Sequence, residues 1–90
     1  MKSAYELAMT RLEKQAPTAA LTEAQKRELA ELDSLYAAKL AERRLLLEPE
    51  IAKAAGNPAE QEALQKQLRS EVARLEDERE TKKERVRQGR

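Results

Sequence analysis

Apolar residues recur along this chain with a helical period that hardly falters between Leu29 and Ala54. Leu29, Leu32, Tyr36, Leu40, Leu47, Ile51 and Ala54 follow one another in steps of three and four once Arg43 is counted at its place between Leu40 and Leu47. The order of the steps repeats every eleven residues, so Leu29, Leu40 and Ile51 share one position, Leu32, Arg43 and Ala54 a second, and Tyr36 and Leu47 a third. Eleven residues over three turns is about 3.67 per turn, close to an undistorted α-helix, and predicts a long helix with little left-handed supercoil. Leu64, Leu68, Val72, Leu75 and Val86 form a second stripe, in which Leu64, Leu75 and Val86 stand eleven apart and Arg79 and Lys83 fill the gap. Near the N-terminus Tyr5, Met9 and Leu12 predict a third, shorter helix.

Capping residues place the ends. Ser3 with Glu6, and Thr22 with Gln25, have the spacing in which a hydroxyl accepts from the backbone three residues on while the longer side chain reaches back. Pro17 restricts the residue before it and ends the first helix. Gly56 suits a left-handed closing position, Asn57 an N-cap, Pro58 a first turn with no amide to lose, and Glu60 completes a box with Asn57. The chain therefore reverses at residues 55–58. Pro49 does not break the phase of Leu47, Ile51 and Ala54, so it reads as a kink within one helix, at a cost of up to about 3 kcal/mol. The expected fold is all-α: a single domain over residues 1–90, with a helix at about 3–15, a linker at 16–21, a helix at about 22–55 kinked near Pro49, and a helix at about 58–88. The two long helices make an antiparallel, coiled-coil-like hairpin.

Folding about Gly56 and Asn57 sets Leu40 near Val72, Tyr36 near Leu75, Leu32 near Arg79 and Leu29 near Lys83. Beyond Leu75 the C-terminal helix stops offering apolar partners, while Leu35, Leu45 and Leu46 lie outside the main stripe of the central helix. An apolar arc this wide asks for more than one covering helix. The helix with Tyr5, Met9 and Leu12, followed by Leu21, is the nearest candidate cover, folded back in its own chain or lying on a second one; the expected interaction face is Leu29, Leu32, Leu35, Tyr36, Leu40, Leu46 and Leu47, and the expected partner is a second copy, giving a homodimer.

Composition narrows the chemistry. Charged residues make up 39% of the chain and aromatics 2%, which leaves little material for a compact single-chain core. With no Cys and no His, thiol nucleophiles, the commonest general base and the commonest zinc ligands are missing. The acidic residues sit mostly off the stripes, and Glu23 with Arg27, Glu62 with Lys66 and Glu78 with Lys82 have the spacing of helix-surface pairs. Two glycines, Gly56 and Gly89, do not make a phosphate loop. No catalytic, metal or cofactor site is expected. The first ten residues carry Glu6 and no long apolar run, so a cytoplasmic protein with no membrane partner is expected.

One local charge excess stands out. Residues 79–90 carry six Lys or Arg against two Glu, and Lys82, Lys83, Arg85, Arg87 and Arg90 are the candidate contacts for nucleic-acid phosphates. Around a helix they point in several directions, and no aromatic stands among them to stack on bases. The first expectation is therefore a non-enzymatic structural or protein-interaction module that self-associates. The alternative is a nucleic-acid-binding hairpin that uses its basic end.

Overall fold

The computed structural model describes residues 3, 4 and 21–89 of the 90-residue chain. Within them the protein is an antiparallel hairpin of two long helices, α1 (Glu23–Lys53) and α2 (Pro58–Arg87), joined by a 3₁₀ turn at Ala54–Gly56 and by Asn57. No strand occurs among the described residues. The all-α hairpin read from the two stripes is the fold. The expected N-terminal helix with Tyr5, Met9 and Leu12, its Ser3–Glu6 box and the linker after it lie outside the described residues, except for Ser3, Ala4 and Leu21 at their edges.

Helix α1 opens on the expected box. Thr22 Oγ1 accepts from the Gln25 amide at 3.0 Å, and Gln25 Oε1 accepts from the Thr22 amide at 2.8 Å, so two of the first unpaired amides of the helix are satisfied reciprocally. The helix then runs without interruption through Pro49 to Lys53. A proline inside a helix removes the bond to the carbonyl four residues earlier, here that of Leu45. Leu45 is 76% exposed and Pro49 is exposed beside it, so water can take the place of the missing amide.

The turn corrects one expectation. Gly56 does not adopt the left-handed conformation: Gly89, at φ 77°, is the one positive-φ residue among those described. The chain reverses instead through the 3₁₀ turn and through Asn57, which is extended at φ −131°, ψ 91°, and the Asn57 amide donates to the Ala54 carbonyl at 2.9 Å. That bond occupies the backbone donor that a full capping box would have offered to Glu60. Asn57 Oδ1 still accepts from the Glu60 amide at 3.3 Å, while the Glu60 carboxylate accepts from Asn57 Nδ2 at 3.4 Å. At the far end of α2 the left-handed glycine is Gly89, whose amide donates to the Val86 carbonyl at 3.0 Å in the usual C-terminal closure.

Packing follows the predicted register. Tyr36, Leu40 and Leu75 form the buried cluster, with Leu32 and Val72 packed against it, while Leu47 and Ala54 continue the buried stripe of α1 toward the turn. Arg43, the polar member of that stripe, meets Glu71 across the hairpin, Nη1 to Oε1 at 3.5 Å. Two glutamine amides hold the ends. Gln61 Nε2 donates to the Ile51 carbonyl at 3.1 Å near the turn, and Gln25 Nε2 donates to the Val86 carbonyl at 2.9 Å at the open end.

Because Gly56 has no positive φ and a Cβ built there meets nothing within 4 Å, Gly56→Ala should raise stability by about 0.4–1 kcal/mol by restricting the unfolded chain. Urea melts followed by circular dichroism measure this, and a loss of stability would return the left-handed turn. Pro49→Ala should also stabilise, by up to about 3 kcal/mol, since it restores an amide to the Leu45 carbonyl and removes the ring. A fall in the midpoint of the same melt would show that α1 needs its proline.

Candidate interaction face

The residues expected to form one interaction face divide into two groups. Tyr36, Leu40 and Leu47 are buried between the two helices of the chain's own hairpin, and Leu29 and Leu32 are half-buried there. Leu35 and Leu46 are exposed at 46% and 54%, and Leu45 at 76%. Helix geometry accounts for the division. Leu35 and Leu46 each precede a buried residue, Tyr36 and Leu47, and so sit about 100° around the helix from the stripe, whereas Leu45 is two residues from both Arg43 and Leu47 and points roughly away from α2. Three large apolar side chains on one helix are left to solvent.

Their neighbours on the outer side of α1 are small. Ser34, Ala37, Ala38 and Ala41 are all exposed, and they separate Leu35 from Leu45. Glu31 and Glu42, eleven residues apart, lie between this strip and the side of α1 that carries Leu35 and Leu46, and Asp33 and Arg44 flank it on the other side. Leu45 thus stands in a short strip of small uncharged residues, with Leu35 and Leu46 across a pair of glutamates from it.

Across the hairpin, the half of the interface beyond Leu75 is built from long polar side chains instead of apolar ones. Tyr36 is fully buried. Its hydroxyl donates to Glu78 Oε2 at 3.3 Å, and its ring has the ammonium groups of Lys39 and Lys82 at 5.1 and 5.3 Å from the centroid, within the range of cation–π attraction. The Tyr36 hydroxyl holds Lys82 above its ordinary pKa of 10.5, with the Glu78 carboxylate adding to the effect. One residue further, Lys83 reaches Asp33 with its Nζ 2.8 and 3.1 Å from the two carboxylate oxygens. That hydrogen bond holds Asp33 below its ordinary 3.8. The Lys83 side chain is only 15% exposed, so its alkyl stem serves as wall material where the sequence lacks a leucine.

These contacts also occupy most of the basic end. Lys82 lies over the Tyr36 ring and Lys83 is paired with Asp33, while Arg87 is bound to Glu84 at 3.1 Å and Glu80 at 3.8 Å. Arg85 is exposed on the wall of an open groove with Glu28, Glu31, Leu32, Lys82 and Val86, and Arg90 lies outside the described residues. The four described cations are spread between a ring, two sets of carboxylates and an acid-lined groove, with Lys82 and Arg85 sharing the groove wall.

The helix-surface pairs differ in detail from those expected. Glu23 meets Lys26 at 3.3 Å instead of Arg27, and Glu78 meets Arg74 at 3.0 Å instead of Lys82, which the Tyr36 ring has drawn away. No ion pair joins Glu62 to Lys66 among the described residues. Glu23 uses a spacing of three, nearly equivalent to four on a helix, and Glu78 pairs four residues back instead of four residues on.

Sequence reasoning missed the two glutamine ties, the Lys83–Asp33 pair and the lysines over Tyr36. The glutamines left a signal. Gln25 stands eleven residues before Tyr36, and Gln61 eleven before Val72, so both fall on the buried stripes and needed polar partners there. Asp33 left none, since it is a single carboxylate on the flank of α1.

No group of metal-ligating side chains is present among the described residues, and no helix there is long and apolar enough to cross a membrane.

The Asp33 pair gives a defined acid dependence. Since its pKa is lowered on folding, the folded state binds fewer protons, and the contribution of the pair is present above the ordinary value of 3.8 and lost as pH falls through the lowered one. Asp33→Asn should therefore lower the urea midpoint near pH 6, and its difference from the unaltered chain should shrink below about pH 4. A difference that stays constant from pH 6 to pH 2.5 would show that Lys83 contributes through its stem alone. Comparison of the chain with protein-family models, with curated proteins and with solved structures finds no match.

Proposed function

We propose that this protein is a non-enzymatic helical interaction module that self-associates, as a dimer, through the outer face of α1. The observation that carries this reading is the exposure of Leu35, Leu45 and Leu46 together on a helix whose other large apolar residues are already used inside the hairpin. Full burial would return up to roughly 1.5–3 kcal/mol at Leu45 and about half of that at each of Leu35 and Leu46, which are already half covered. An isologous contact uses the same patch on both copies, so one strip covers itself twice over. The protein would work in the cytoplasm as a spacer or scaffold, its two-helix rod fixing the distance between whatever its ends and outer face hold.

The basic end gives no comparable support to a nucleic-acid reading. Lys82 and Lys83 are engaged across the hairpin with Tyr36 and Asp33, and Arg87 with glutamates of its own helix, so recruiting the two lysines to phosphates would break contacts beside Tyr36.

Sedimentation equilibrium at micromolar concentration should give about twice the 10.2 kDa chain mass. Leu46→Glu should shift the protein to monomer while the hairpin contacts of Tyr36, Leu40 and Leu75 stay in place, because Leu46 takes no part in that cluster. A compact monomer at high concentration, melting cooperatively, would overturn the proposal. Tight binding of RNA or DNA that collapses between about 50 and 200 mM salt would replace it with the phosphate-binding alternative.

A further inference from the structure

We draw no further inference here: the strongest candidate, the uncharged strip on the outer face of α1 where Leu45 stands beside Ser34, Ala37, Ala38 and Ala41, carries nothing beyond the association already proposed, because its charged borders favour no one pairing and nothing in the structure shows what covers it.

Discussion

Two helices this poor in aromatic residues stay together because one tyrosine is placed where the apolar supply runs out. Tyr36 is the largest side chain in the described interior and has no exposed surface. It touches Leu40 and Leu75 on the side of the turn, where both helices still offer leucines. On the other side α2 offers Glu78, Arg79, Lys82 and Lys83 before its next apolar residue, Val86. A phenylalanine at this position would leave that transition without a polar partner. The tyrosine spans it, with its ring in the leucine cluster and under two ammonium groups and its hydroxyl bonded to a carboxylate. An aromatic side chain with a polar tip is suited to such a boundary.

From that boundary to the open end, the hairpin is held by long side chains and by an end tie. Lys83 and Asp33 stand about one turn of α1 beyond Tyr36, and Gln25 with the Val86 carbonyl a little over two turns further on. Exposed ion pairs contribute little individually. The Lys83 stem adds apolar cover at this end, since its side chain is only 15% exposed. The arrangement also leaves a cost in place: one oxygen of Glu71 and Nε of Arg79 are buried without a hydrogen-bond partner, and such groups are expensive in a low-dielectric setting.

Much of this was legible from the order of residues, and the limits of the reading have physical causes. The eleven-residue stripes predicted both helices, their register and the passage of α1 through Pro49, because periodicity is set by burial, and burial is what the hairpin needs most. The caps at Thr22 and Asn57 were visible because they act over three residues. Gly56 misled for a related reason. A glycine next to Asn-Pro fits a left-handed closure, but a 3₁₀ turn closes the same gap with ordinary dihedrals, and the choice depends on how far apart the packed helices stand. The candidate face was half legible. Leu35, Leu45 and Leu46 lie off the stripe as their spacing indicates, while Tyr36, Leu40 and Leu47 are used up inside the hairpin and Leu29 and Leu32 are half-buried. Whether a lysine acts as a charge or as a wall depends on what its neighbour across the groove offers, and that is information held between helices.

The shared eleven-residue repeat and the two glutamine ties together set a rule for length. Because Gln25, Tyr36 and Leu47 occupy one column of α1, and Gln61, Val72 and Lys83 one column of α2, eleven residues inserted into each arm would return every later side chain to the face it now occupies. Seven residues would not, since at the roughly 3.67 residues per turn of this pattern they leave the stripe rotated by about 33° and so demand a supercoil that it does not have. A hairpin of this kind therefore lengthens or shortens with least disturbance in matched steps of three turns, roughly 16 Å at 1.5 Å per residue. Its overall length is a stepwise quantity, in the way that the length of a built-up rod is set by the number of its segments.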